Sequence, residues 1–155
     1  MLHFELETAR FRKIGSSIIL DTKNDLEWIV NSDKGISWFV LEAWVAQLNE
    51  FHGRGWEIPS LKQLATLMNS GNFTAQCTRR SKNTSLGTEN TGHVTTIYLN
   101  EIFSKGCGNV WSSDDKDGDT QYYYMFSSGE KAETPVMDCG TDCPQAFAVR
   151  KHSGK

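Results

Sequence analysis

The sequence predicts an α+β domain, and three observations carry that expectation. Segments that alternate apolar and polar residues outnumber segments with helical spacing, both helical patterns lie in the first half of the chain, and no repeat or linker divides its 155 residues. A chain of this length fits one domain, residues 1–155, and can bury a core without metals or disulfides to hold it.

Residues 9–30 read as short strands. Ile14, Ile18 and Leu20 are apolar, Gly15 permits a bend, and Asp21-Thr22-Lys23-Asn24-Asp25 is a dense turn signal before the returning strand Leu26-Glu27-Trp28-Ile29. The simplest form is a hairpin. From Ser37 to Phe51 the spacing changes to three and four, through Trp38, Leu41, Val45 and Leu48, and His52-Gly53 closes the segment as a helix stop. Pro59 then fixes its own φ and pushes Ile58 toward extended geometry, which makes a corner. Ser60 with Gln63 forms a capping-box pattern, and Leu61, Leu64, Ala65 and Met68 share one face, so a second helix is expected over about 60–68.

Residues 70–92 are polar and rich in Ser, Thr, Asn and Gly, and they read as a long connection, of a length that is usually functional where it occurs in a compact domain. Strand composition returns over 94–99 and again over 109–113. Asp114 to Thr120 reads as an acidic turn. Tyr122, Tyr124 and Phe126 alternate with Tyr123 and Met125 in a strand with two large faces, and Gln145 to Arg150 closes the chain with the same period.

Net charge of -3 with a pI near 5.8 argues against a nucleic-acid partner. No apolar run approaches the roughly 20 residues of a membrane-spanning helix, so membrane insertion is not expected. The first residues, Met1-Leu2-His3-Phe4-Glu5-Leu6-Glu7, carry acids where a signal peptide has a basic start, so either the protein is cytoplasmic or a leader has been removed. Cys77, Cys107, Cys139 and Cys143 contain no Cys-x-x-Cys pair, and only the last two approach zinc-ligand spacing. Two disulfides and four free thiols both fit this count. If bridges form, the expected pairing is Cys77 with Cys107 and Cys139 with Cys143, although four cysteines permit three pairings.

Four separated segments resemble one pattern. Asp21 to Trp28 is similar to the "D-x-x-T-G-L-x-W" hairpin of the bacterial family typified by the C-terminal domain of the Legionella collagen-like adhesin, also known as DUF1566. Trp56 to Leu64 is similar to its "W-R-L-P-T-x-x-E-L", Trp111-Ser112-Ser113 to its "W-S-S", and Val149-Arg150 to its closing "V-R". The resemblance runs from about Gly15 to Arg150. Asp25 stands in place of the turn glycine, Glu57 of a basic residue and Gln63 of an acidic one. The collagen-like stalk is absent. The resemblance implies a C-type-lectin-like fold, with a small, mainly antiparallel mixed sheet, two helices and a long loop region. It also implies a non-catalytic binding module for an anionic glycan or cell-surface partner, in an extracellular, cell-surface or periplasmic setting. The alternative is a protein-interaction or structural module of a phage or surface assembly that binds no sugar.

Candidate site residues follow from chemistry. Asp115, Asp117 and Asp119 alternate around Gly118 and can converge oxygen ligands on calcium, though the bidentate Glu of an EF-hand is missing and a solvated turn has the same composition. Arg79, Arg80 and Lys82 are candidates to grip sulfate or carboxylate, or are ordinary surface. Tyr122 and Tyr124 are the aromatic candidates for ligand contact, while Trp28, Trp38, Trp56 and Trp111 are expected in the core. His3, His52, His93 and His152 are isolated, no nucleophile elbow or phosphate loop appears, and catalysis is not expected.

Overall fold

The computed structural model describes residues 10–80, 90–137, 139 and 143–152. Among them the fold is α+β, with two helices and three antiparallel sheets. No helix among the described residues is long and apolar enough to cross a membrane.

The first sheet joins β1 (Phe11–Ile14), β2 (Ile18–Asp21) and β3 (Leu26–Val30) to the last strand, β9 (Phe147–Lys151), in the order β1-β2-β3-β9. The β2–β3 turn is built by Asp21, whose Oδ1 accepts from the backbone N–H groups of Lys23 at 3.1 Å and Asn24 at 3.4 Å. Asp25 closes that turn with φ 57, a left-handed conformation that a short polar side chain tolerates better than most, so the position can do without glycine. β3 and β9 form the centre. Trp28, Phe147 and Val149 face one core cluster, while Ile29 and Ala148 face another, so these strands are buried on both sides.

Helix α1 (Trp38–Phe51) starts where Ser37 Oγ accepts from Val40 N–H at 3.4 Å, and it buries Leu41 and Leu48. Its Leu48 packs with Ile29, Ala148 and Trp56, and its Leu41 with Trp111 and Ala146. The chain then pairs Glu57 with Val149, two backbone hydrogen bonds of 2.9 Å, before the corner at Pro59. Helix α2 (Leu61–Ala65) carries the expected capping box: Ser60 Oγ accepts from Gln63 N–H at 3.0 Å and Gln63 Oε1 from Ser60 N–H at 2.9 Å. The helix is shorter than expected because Thr66 Oγ1 donates to the Gln63 carbonyl at 2.6 Å, and turns replace regular helix from there to Ser70. Leu64 and Leu67 still reach the core.

The long connection expected over residues 70–92 is corrected. Phe73–Arg80 forms β4 and Asn90–Ile97 forms β5, an antiparallel pair with Cys77 opposite His93 and Arg80 opposite Asn90. Phe73, Ala75 and Cys77 alternate with polar residues, and the first two pack against the main core, so the polar composition hid a period-two face. The third sheet contains β6 (Asn109–Asp117), β7 (Thr120–Met125) and β8 (Glu130–Pro135) in the order β6-β7-β8. The expected acidic turn is mostly strand. β6 runs to Asp117 with two register shifts, leaving Gly118 and Asp119 as the turn. β8, Glu-Lys-Ala-Glu-Thr-Pro, is a charged edge strand with no apolar alternation to reveal it.

Two ionic clusters close the first sheet. Arg150 Nε donates to Glu27 Oε1 at 2.8 Å, His152 Nδ1 lies 2.6 Å from Glu27 Oε2, and Arg150 covers the Trp56 ring at 4.3 Å. Burial opposes ionisation of Glu27, but the hydrogen bonds from His152 and Arg150 outweigh it and hold the carboxyl below its ordinary range. Asp21 follows the same logic: burial raises it, yet Arg10, paired at 2.9 Å through both carboxylate oxygens, brings it below the ordinary value with help from Asn24.

Candidate functional site

An open cleft of about 780 Å³ lies where the β4–β5 pair stands beside β7. β5 lines it with His93 and Thr95, Tyr98 follows just past the end of that strand, and β7 contributes Tyr123 and Met125. Asn109, at the start of β6, and Gln145, ahead of β9, complete the lining. Tyr98 is 38% exposed and Val94, four residues before it, 68% exposed, so this side of the cleft carries apolar surface that the core does not use.

The walls are tied covalently. Cys77 on β4 is bonded to Cys107 ahead of β6, with Cα atoms 5.9 Å apart, and Cys139 is bonded to Cys143, with Cα atoms 5.1 Å apart. This is the pairing expected from the sequence, and no described cysteine is free. Backbone bonds reinforce the joint: Tyr98 N–H donates to the Phe126 carbonyl at 2.9 Å, and Asn69 N–H to the Tyr98 carbonyl at 2.9 Å.

Gln145 is held with little freedom. Its backbone bonds Asn109 and Trp111, and its side-chain Nε2 donates to the Ser32 carbonyl at 3.0 Å and to Ser104 Oγ at 2.7 Å. Turning the amide over would set oxygen against the Ser32 carbonyl, so Oε1 is fixed as an acceptor, and it is buried without a hydrogen-bond partner. Thr95 Oγ1 is buried without a partner as well. Two glycines allow the floor to close. A Cβ on Gly35 would collide with the Cys143 carbonyl, and one on Gly106 would collide with the Asp33 carbonyl.

Among the described residues the lining has one carboxylate, Asp33, one imidazole, His93, and neither lysine nor arginine. Its remaining polar groups are hydroxyls, amides and backbone. Such a surface hydrogen-bonds neutral groups in both directions and offers no fixed positive charge to an anion.

Of the residues singled out in the sequence, Tyr122, Tyr124, Asp115, Asp117 and Asp119 do not line this cleft. Arg79 and Arg80 end β4, opposite Thr91 and Asn90, while Lys82 lies outside the described residues. Tyr124 is corrected as a contact residue: it is 6% exposed, packs on Phe126 with ring centroids 4.7 Å apart, and burial pushes its phenol up. Tyr122 is half-buried under Lys131, whose Nζ stands 4.4 Å from the ring centroid. The expected alternation is present: Tyr124 packs with Leu64 and Leu67 on one face of β7, and Tyr123 and Met125, on the other, line the cleft. Trp28, Trp56 and Trp111 are buried as expected, whereas Trp38, also expected in the core, is only partly buried and packs edge-on against Trp111 with ring centroids 5.4 Å apart.

Asp115, Asp117 and Asp119 do meet in one place, a separate groove of about 390 Å³ shared with Glu42. They do not form a metal cluster: among the described residues no group of three or more His, Cys, Asp or Glu side chains is arranged to hold an ion. Asp117 Oδ1 accepts from Asp119 N–H at 2.9 Å, and neighbouring Asp114 accepts from Leu61 N–H at 2.9 Å at the start of α2. Neither a family model nor a curated protein matches the chain.

Proposed function

We propose that this chain is a non-catalytic binding module of C-type-lectin-like type that holds part of a glycan in the cleft between β5 and β7. The observation that carries the reading is the lining: exposed Tyr98 and half-buried Tyr123 beside hydroxyl, amide and imidazole groups, with no lysine or arginine among the described residues. Sugars present apolar C–H faces and rings of hydroxyls, which suit aromatic faces flanked by neutral donors and acceptors. Arg79 and Arg80 stand two and three residues beyond Cys77 on β4, about 7–10 Å along the strand. The two disulfides and the resemblance to an adhesin domain support an extracellular or cell-surface setting.

A glycan array probed with the labelled chain, with and without calcium, tests the reading. The expected result is retention of a defined set of sugars, weakened at least tenfold by Tyr98→Ala with the melting temperature preserved. A blank array, or retention unchanged by Tyr98→Ala, overturns it.

A further inference from the structure

Among the described residues the groove beside the β6–β7 turn shares no lining with the cleft, and its chemistry differs. Phe39, on the first turn of α1, is 51% exposed, and Met137, just past β8, is 76% exposed. Neither belongs to a core cluster, although Leu41, two residues beyond Phe39, is fully buried. The helix therefore turns a large apolar side chain outward where its packing does not require one. Around this apolar floor stand Glu42, Asp115, Asp117 and Asp119, and among the described residues no lysine or arginine lines the groove. Lys116, between two of these carboxylates in sequence, is committed to Glu133 at 2.9 Å. Among the described residues no ion pair neutralises the four acids.

We propose that this groove docks a peptide segment of a partner protein that presents a lysine or arginine next to an apolar side chain. The carboxylates surround the apolar floor without converging on one point, which matches a cation carried on an aliphatic stem better than a bare ion. The stem lies along Phe39 and Met137, the charged head meets the acidic rim, and the partly exposed Trp38 ring offers a face to the cation. The groove is also firm: Gln121, in its floor, donates through Nε2 to the Ser112 and Asp114 carbonyls, both at 2.9 Å. A preorganised floor lowers the ordering cost of binding a short segment.

Amide chemical-shift mapping tests this with the labelled full chain and a blocked pentapeptide, Lys-Leu-Gly-Lys-Leu, against the same peptide with both lysines changed to glutamate. The expected result is a saturable shift of the Phe39, Gly118 and Asp119 amides by the lysine peptide alone. The affinity should fall at least tenfold in the triple variant Asp115→Asn, Asp117→Asn, Asp119→Asn and again in Phe39→Ser, with melting temperatures near that of the parent. The glutamate peptide shifting the same amides, shifts scattered over the surface, or affinity unchanged in both variants overturns the proposal. Saturable calcium binding at the same carboxylates overturns it in favour of a metal site. Because the cleft lies apart, Tyr98→Ala leaves this binding unchanged, so the two readings fail independently.

Discussion

Removing the Cys77–Cys107 bridge should cost more stability than any surface change. The bridge closes a separation of 30 residues, and the chain-entropy relation puts the denatured-state freedom it removes at about 3.6 kcal/mol at 25 °C. The Cys139–Cys143 bridge closes a separation of 4, for which the same relation yields about 1.9 kcal/mol. For a chain of this size these figures correspond to falls in melting temperature of roughly 7–14 °C and 4–8 °C. The assay is urea unfolding followed by tryptophan fluorescence, on the parent, on each paired Cys→Ala variant, and on the parent kept in reductant. The reduced parent matters because Cys77 is buried, and alanine there loses packing as well as the bond. The expected order is parent, then the variant lacking the short bridge, then the variant lacking the long one. Equal losses from the two bridges, or a long-bridge variant within about 1 kcal/mol of the parent, would refute the loop-closure reasoning.

Glu27 and Asp21 are both held below their unfolded carboxyl range, so each adds stability that is present above about pH 4 and is lost as pH falls through the folded value. Stability should therefore drop with acidification below about pH 4, and Glu27→Gln should flatten that slope while lowering stability at pH 7 by about 2–3 kcal/mol, since Arg150 loses a buried partner. An unchanged slope in a pH series of denaturation curves would count against this. Ser60→Ala should cost about 1 kcal/mol through loss of the α2 cap, measured in the same way. Tyr124→Ala should cost about 3–4 kcal/mol and Tyr122→Ala under about 1 kcal/mol, because the first opens a cavity in the core and the second uncovers a side chain that is already partly wet. Comparable losses at the two tyrosines would contradict the difference in burial between the middle and the end of that strand face.

Elements governed by near neighbours were legible in the sequence. The capping box needs only Ser60 and Gln63, the β2–β3 turn needs Asp21 and the four residues after it, and α1 follows from apolar spacing behind Ser37. Elements stabilised from a distance were not. β4 and β5 look like a polar loop because much of their regularity comes from pairing with each other, and β8 is a strand only because β7 lies beside it. The cysteine pairing lies between these cases: the count permitted it, and the joint between β4 and the start of β6 realises it.

The candidate sites divide in the same way. Period two in Tyr122 to Met125 established that the strand has two large faces, but sequence carries no mark of which face α2 will cover. Alternation in Asp115 to Asp119 marked an acidic cluster, and only folding brought Glu42 and Phe39 from α1 against it and turned a supposed ion site into a rimmed groove. The cleft had no local signal, since Tyr98, Asn109 and Gln145 come from three distant segments. Local sequence determines caps, turns and the alternation of faces, because those depend on interactions within a few residues. Which face is buried and which residues converge on a cavity depend on strand pairing and helix packing across the whole chain, and those contacts exist only in the tertiary structure.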